Sequence, residues 1–141
     1  MRYVIVSGSS GELGAAITKE LIKNNYFVVG LDIKKKVNSK NFINFKCDIS
    51  NERTIKKIFK NLIKNKINPT ILINNAGIGT YGKIDNRSAK EIKKVTDVNL
   101  LGTINLIKNF YTHFRGNKKN IVKIINIASI YGVMSPKFKH Y

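Results

Sequence analysis

The sequence predicts an α/β fold built on a doubly wound parallel sheet. Short β-branched runs alternate with helical stretches from end to end of the 141 residues, the pattern of strands laid side by side with helices on both faces. The second observation is a glycine turn between the first strand and the first helix, Ser7-Gly8-Ser9-Ser10-Gly11-Glu12-Leu13-Gly14. The third is a carboxylate, Asp32, placed where the second strand ends.

The elements follow in order. Strand 1 is expected over Tyr3 to Ser7. The first helix runs from about Gly11 to Asn24, with Leu13, Ile17 and Leu21 as its buried stripe. Strand 2 covers Tyr26 to Leu31 and ends at Asp32, and strand 3 covers Phe42 to Phe45. A second helix, from about Asn51 to Lys64, carries Ile55, Ile58, Phe59, Leu62 and Ile63 at helical spacing. Strand 4 is Thr70 to Ile73. Ser88 with Glu91 three residues on reads as a capping box and opens a long helix, Ser88 to Phe114, that places Ile92, Val95, Asn99, Gly102, Leu106 and Phe110 on one face. Strand 5 is Ile121 to Ile127. Right-handed crossovers then give the strand order 3-2-1-4-5. No repeat, linker or low-complexity stretch interrupts the chain, so residues 1–141 form one domain.

Composition excludes several classes. No apolar run approaches the roughly eighteen residues of a membrane span, and four apolar residues before Ser7 do not make a signal peptide. The single cysteine, Cys47, forbids an internal disulfide and fits a reducing cytoplasm. The net charge of +18 invites a nucleic-acid reading. The lysines are dispersed, however, with short clusters at Lys34-Lys35-Lys36, Lys56-Lys57 and Lys118-Lys119. Lys, Asn and Ile together exceed a third of the chain, a bias that looks like an A/T-rich coding genome. Nonspecific attraction to polyanions is expected, and a specific nucleic-acid function is not. His113 and His140 lack metal-ligand spacing, so no metal is expected.

The glycine turn carries the chemistry. Gly8 permits the tight turn, Gly11 leaves no Cβ in the way of phosphates, and Gly14 lets the helix pack on the strand. The helix N-terminus offers free N–H groups and the positive end of a dipole to an anion. Asp32, eighteen residues after Gly14, can accept both ribose hydroxyls of an adenosine and would repel a 2′-phosphate. This favours NAD over NADP, and Lys34, Lys35 and Lys36 partly offset that repulsion. An ordinary polar residue at a strand end is the competing reading. Asn74-Asn75-Ala76-Gly77 closes strand 4 at the topological switch point, where a ligand should bind. Its asparagines can tie neighbouring strands, and by itself it could be a plain turn.

These motifs, with Asp48 after strand 3, Val98-Asn99-Leu100-Leu101-Gly102 and Ile125-Asn126-Ile127-Ala128-Ser129, occur in an order that resembles the short-chain dehydrogenase/reductase family over essentially the whole chain. The glycine spacing departs from the G-x-x-x-G-x-G usual in its shorter members. Ser129 to Phe138 resembles a subset linked to bacterial surface-sugar and flagellin modification. The resemblance implies a Rossmann-like dinucleotide-binding domain in an oxidoreductase that pairs with copies of itself through the long helix. Gly8, Gly11 and Gly14, with Ser10, Glu12 and Leu13 in the same turn, would hold the cofactor's pyrophosphate. Asp32 would hold the adenosine ribose, Asp48 and Ile49 the adenine, and Asn75, Ala76 and Gly77 the nicotinamide side. Ser129 would polarise the substrate carbonyl or alcohol, and Asn99 would bind a water of the proton relay. Each has a plainer reading: Asn99 as a buried asparagine capping carbonyls, Ser129 as a small polar residue at a turn, Cys47 as core.

The family takes its acid/base from a tyrosine with a lysine four residues on. Tyr3, Tyr26, Tyr81, Tyr111 and Tyr131 are followed at that spacing by Ser7, Gly30, Asp85, Arg115 and Ser135. Tyr141, a dozen residues after Ser129, is the remaining candidate, with no residue after it. The chain therefore reads as the amino-terminal half of such an enzyme, ending before strands 6 and 7. As such it should be inactive alone, with strand 5 as an open apolar edge. A non-catalytic dinucleotide-binding module and a polyanion-binding protein are the competing functions.

Overall fold

The computed structural model describes residues 2–34, 37–80, 83–115 and 121–134. Tyr141, Lys35, Lys36, Tyr81, Lys118, Lys119, His140 and the stretch 135–138 lie outside the described residues. Five parallel strands, β1 (Arg2–Ser7), β2 (Tyr26–Asp32), β3 (Phe42–Lys46), β4 (Ile71–Asn74) and β5 (Lys123–Asn126), form one sheet in the order β3-β2-β1-β4-β5. The helices are α1 (Glu12–Lys23), α2 (Glu52–Lys64), α3 (Ala89–Thr96) and α4 (Thr103–Phe114).

The period-two pleat sends successive side chains of each strand to opposite faces, and both faces are covered over β1, β2 and β4. Val4, Val6, Val28, Phe42 and Ile73 meet Ile17, Leu21 and Ile22 of α1. Ile5, Val29, Leu31 and Leu72 meet Ile55, Ile58, Phe59 and Leu62 of α2 and Leu106, Phe110 and Phe114 of α4. Phe59 and Phe110 are fully buried, and Phe114 leans on both with ring centroids 5.2 and 5.6 Å away. Truncating a buried phenylalanine of this kind costs about 3–5 kcal/mol.

Helix ends follow local chemistry. Asn51 caps α2 through Thr54 N, and Ser88 and Glu91 form the reciprocal capping box that opens α3. Asn25, at φ +63°, follows the last turn of α1, a conformation asparagine tolerates better than most residues.

Three expectations need correction. Leu13 is 54% exposed rather than part of the α1 stripe, because it stands on the first turn, beyond the sheet end. Ile63, at the rim of α2, is exposed as well. The long helix is not uniformly α-helical: α3 and α4 are joined by a π-helical turn, Asp97–Gly102. A wide turn holds more residues than an α turn, so it shifts the phase of the apolar stripe. Gly102, Leu106 and Phe110 are buried, whereas Ile92 and Asn99 are exposed and Val95 is half-buried. Gly102 lies where the helix meets the segment after β3, since a Cβ there would stand 2.7 Å from Ile49 Cγ1. Finally, β5 pairs with β4, and among the described residues Ile124 and Ile125 remain exposed, so Ser129 follows an exposed strand.

Candidate functional site

The carboxyl ends of β1, β2 and β4 open onto a cleft of about 670 Å³. Its first lip is the turn after β1. Gly8 has φ +66°, and a Cβ there would fall 2.8 Å from Ala76 Cα. Gly14 is more constrained, because a Cβ would fall 2.0 Å from the Gly8 oxygen. The packing of the chain itself demands both glycines. Gly11 differs. Its φ of −69° suits any residue, and a Cβ would meet the Gly8 oxygen at an ordinary 3.5 Å. Among the described residues nothing requires glycine at 11; what it leaves is open space at the start of α1. No side chain caps that helix, so its first N–H groups keep their capacity to bind an anion.

The second lip follows β4 and is tied to the first. Ser7 Oγ accepts from Asn75 N and Ala76 N, both at 3.1 Å, and Asn75 Nδ2 donates to the Ser7 and Gly8 carbonyls at 3.1 and 3.2 Å. Asn74 Nδ2 donates to Asn126 Oδ1 at 2.8 Å, tying β4 to β5. Behind Gly77, Asn99 grips the backbone of Ile78: its Oδ1 accepts from Ile78 N at 2.9 Å and its Nδ2 donates to Ile78 O at 2.8 Å.

Asp32 closes the far end. It is 8% exposed. Oδ2 accepts from Ser10 N and Oδ1 from Lys34 N, each at 2.8 Å. A carboxylate has about four lone-pair sites, so two backbone bonds fix its orientation and leave room for two more donors. Asp48 Oδ1 accepts from both Ser50 N and Ser50 Oγ, which leaves Oδ2 uncommitted among the described residues. Cys47 is buried between these carboxylates in sequence; burial first, then the Asp48 charge, pushes its thiol up to about 12. It stays protonated and serves as apolar floor.

Every residue expected to touch a dinucleotide lines this one cleft: Gly8, Ser10, Gly11, Glu12, Leu13, Gly14, Asp32, Asp48, Ile49, Asn75, Ala76 and Gly77. Of the residues assigned to catalysis, Ser129 and Asn99 are not among its lining, and Tyr141 lies outside the described residues. Ser129 Oγ accepts from Tyr131 N at 3.2 Å and caps a short 3₁₀ turn, Ile130–Gly132. Lys34, set near the ribose by the sequence, and Cys47, read there as core, also line the cleft. So do residues the sequence did not single out: Leu31, Ile33 and Ile78 adjoin recognised positions. Lys94 and Val98, one helical turn apart, and Ile127 after β5 come from elements that no local pattern connects to the turn. Among the described residues no group of three or more His, Cys, Asp or Glu could hold a metal ion, and no helix is long and apolar enough to cross a membrane.

Comparison with known proteins extends this geometry. The sequence profile described as short chain dehydrogenase matches residues 2–141. The chain is 31% identical to an uncharacterized oxidoreductase of Saccharomyces cerevisiae, covering 94% of this chain and 44% of that protein. It is 28% identical to an NADPH-dependent pterin aldehyde reductase of Arabidopsis thaliana, covering 93% of this chain and 57% of the other. Among solved structures, it superposes on a short chain dehydrogenase of Leptospira borgpetersenii with bound NAD+ at a TM-score of 0.91 and 31% identity, over 98% of this chain and 55% of that one. A 4-hydroxyisoleucine dehydrogenase complexed with NADH superposes at 0.84 and 31% identity, over 96% and 59%. The chain spans about half the length of the curated relatives it matches.

Proposed function

Since this chain belongs to the short chain dehydrogenase family, we propose that its cleft binds an adenine dinucleotide, NAD in preference to NADP, within an enzyme that moves a hydride between nicotinamide and an alcohol or carbonyl compound. One observation carries the reading. The cleft joins a glycine that the fold does not need, Gly11, to a carboxylate oriented by two backbone N–H groups, Asp32. The first leaves space for a pyrophosphate at a helix N-terminus, and the second offers acceptors to a ribose diol. The bound NAD+ and NADH of the two solved relatives above support the same choice.

The dinucleotide would supply or accept the hydride. The residues of this chain would bind and orient it. The Gly8–Gly14 turn holds the pyrophosphate, Asp32 the adenosine ribose, Asp48 and Ile49 the adenine, and Asn75, Ala76 and Gly77 the nicotinamide side. Ser129 polarises the substrate oxygen. Asn99 braces the Gly77–Ile78 wall and holds a water of the proton relay. Sugar derivatives are the first substrates to assay, because Ser129-Ile130-Tyr131-Gly132 resembles the surface-sugar subset. No tyrosine in the 141 residues is followed by lysine four positions on. A dinucleotide-binding module without turnover is the second reading.

Calorimetric titration tests the reading. NAD+ should bind more tightly than NADP+. Asp32→Asn should weaken NAD+ about tenfold, the cost of about 1.4 kcal/mol in charge-assisted hydrogen bonds, and narrow its advantage over NADP+. Heat from neither dinucleotide, or an Asp32→Asn protein indistinguishable from wild type, overturns the reading. NADH-linked turnover by the 141-residue chain would exclude the non-catalytic module.

A further inference from the structure

One acidic residue of the cleft lies at the helix end proposed for the pyrophosphate. Glu12 is the first residue of α1, is exposed, and lines the cleft beside Gly11 and Leu13. Its carboxylate therefore stands at the helix end whose unbonded N–H groups would receive a pyrophosphate. In the empty protein the placement is favourable, because an acidic side chain complements the positive end of the helix dipole. Once a dianion occupies the same end, the carboxylate faces like charge. The described residues place no cation against it: the ion pairs pair Glu20, Glu52 and Asp97 with lysines, and none involves Glu12. Lys34 and Lys94 line the cleft, Lys34 two residues after Asp32 in sequence and Lys94 on α3, one turn before Val98.

We propose that Glu12 is an affinity-tempering residue, one that weakens the hold of the cleft on the pyrophosphate of any adenine dinucleotide and so favours release. This rests on the cofactor reading above and adds a division of labour between two carboxylates. Asp32 sits at the ribose end and sets the ratio between NAD and NADP. Glu12 sits at the pyrophosphate, which both share, and sets the absolute affinity for each without changing the ratio.

The test compares wild type, Glu12→Gln and Glu20→Gln by calorimetric titration with NAD+ and with NADP+, at low ionic strength and in 1 M salt. Glu20 lies on the same helix outside the cleft, so its variant removes the same charge from the same element. Glu12→Gln should lower the Kd for both dinucleotides by about threefold to tenfold at low ionic strength, as expected for a charge several ångströms from a dianion in solvent. The gain should be equal for NAD+ and NADP+ and should shrink in 1 M salt, while Glu20→Gln behaves as wild type. The melting temperature of Glu12→Gln should hold or fall slightly, since a favourable dipole partner is lost, so tighter binding cannot be ascribed to a firmer fold. An unchanged or raised Kd in Glu12→Gln, an equal gain in Glu20→Gln, or a gain that persists in 1 M salt overturns the inference. Binding to wild type with any of those results leaves the cofactor reading standing, whereas no heat from any variant removes both.

Discussion

Gly11 and Gly14 stand three residues apart in one turn, and a sequence presents them as equals. Their surroundings separate them. Gly14→Ala would drive a methyl group to 2.0 Å from the Gly8 oxygen, a backbone atom that cannot step aside. We expect a loss of about 1–3 kcal/mol in stability, the range for overpacking, along with loss of dinucleotide binding. Gly11→Ala should leave the melting temperature of the protein unchanged and still impair binding, because its methyl group would occupy space that the chain itself does not fill. Thermal melts paired with NAD+ titrations check both; a Gly11→Ala protein that binds normally would show that no ligand approaches there. The acidic end of β2 was legible in the same way, from position alone. The backbone bonds that aim Asp32, from Ser10 and Lys34, were not, because they depend on how a loop folds over a strand end.

At the scale of elements, regular spacing told the truth about α2, Ile63 excepted, and misled about the helix after it. Ile55, Ile58, Phe59 and Leu62 are buried as their period requires. The stripe drawn from Ile92 to Phe110 assumed one unbroken α-helical phase. The π-helical turn breaks it, and no residue type in Asp97–Gly102 announces such a turn. The capping box at Ser88 was readable because its two partners are three residues apart; the meeting of Lys94, Val98 and Ile127 in the cleft was not, because their elements meet only after folding. Packing between α2 and α4 has a charged component. Glu52 Oε1 lies 2.7 Å from Lys108 Nζ, 3.2 Å from Lys56 Nζ and 3.1 Å from Asn109 Nδ2. These bonds, Lys108 foremost, hold its carboxyl down to about 2 from an ordinary 4.5. A depressed carboxyl stabilises the folded state fully above the unfolded value and loses that contribution as pH falls through the folded one. Acid should therefore erode the tie between about pH 4.5 and pH 2. Melting curves of Glu52→Gln and wild type should converge across that window, and curves that stay parallel would show that the cluster contributes nothing.

The 141-residue chain is strongly basic, +18 in formal charge, and among the described residues no strand pairs with the outer side of β5. Strand order was derivable from handedness and alternation, and the exposed flank followed from the same order. β5 presents Ile124 at 36% and Ile125 at 46% exposure, with Ile121 at 81% beside it. A paired strand whose other side is open recruits further strands. Long-range repulsion at this charge opposes that contact, and salt weakens the repulsion. The 141-residue chain should thus self-associate more as ionic strength rises, and Ile125→Lys should suppress the association. Sedimentation at increasing salt measures this; a chain that stays monomeric at high salt and millimolar concentration would refute it. Ser7 and Asn75 give the molecule a further property. They bolt together two segments that the chain places nearly seventy residues apart, and both segments are continuations of central strands. The crevice between them is consequently anchored to the two central strands it continues. Whatever lodges there draws its hold from the global folding equilibrium, and returns it as resistance to complete denaturation rather than as the quieting of a local loop.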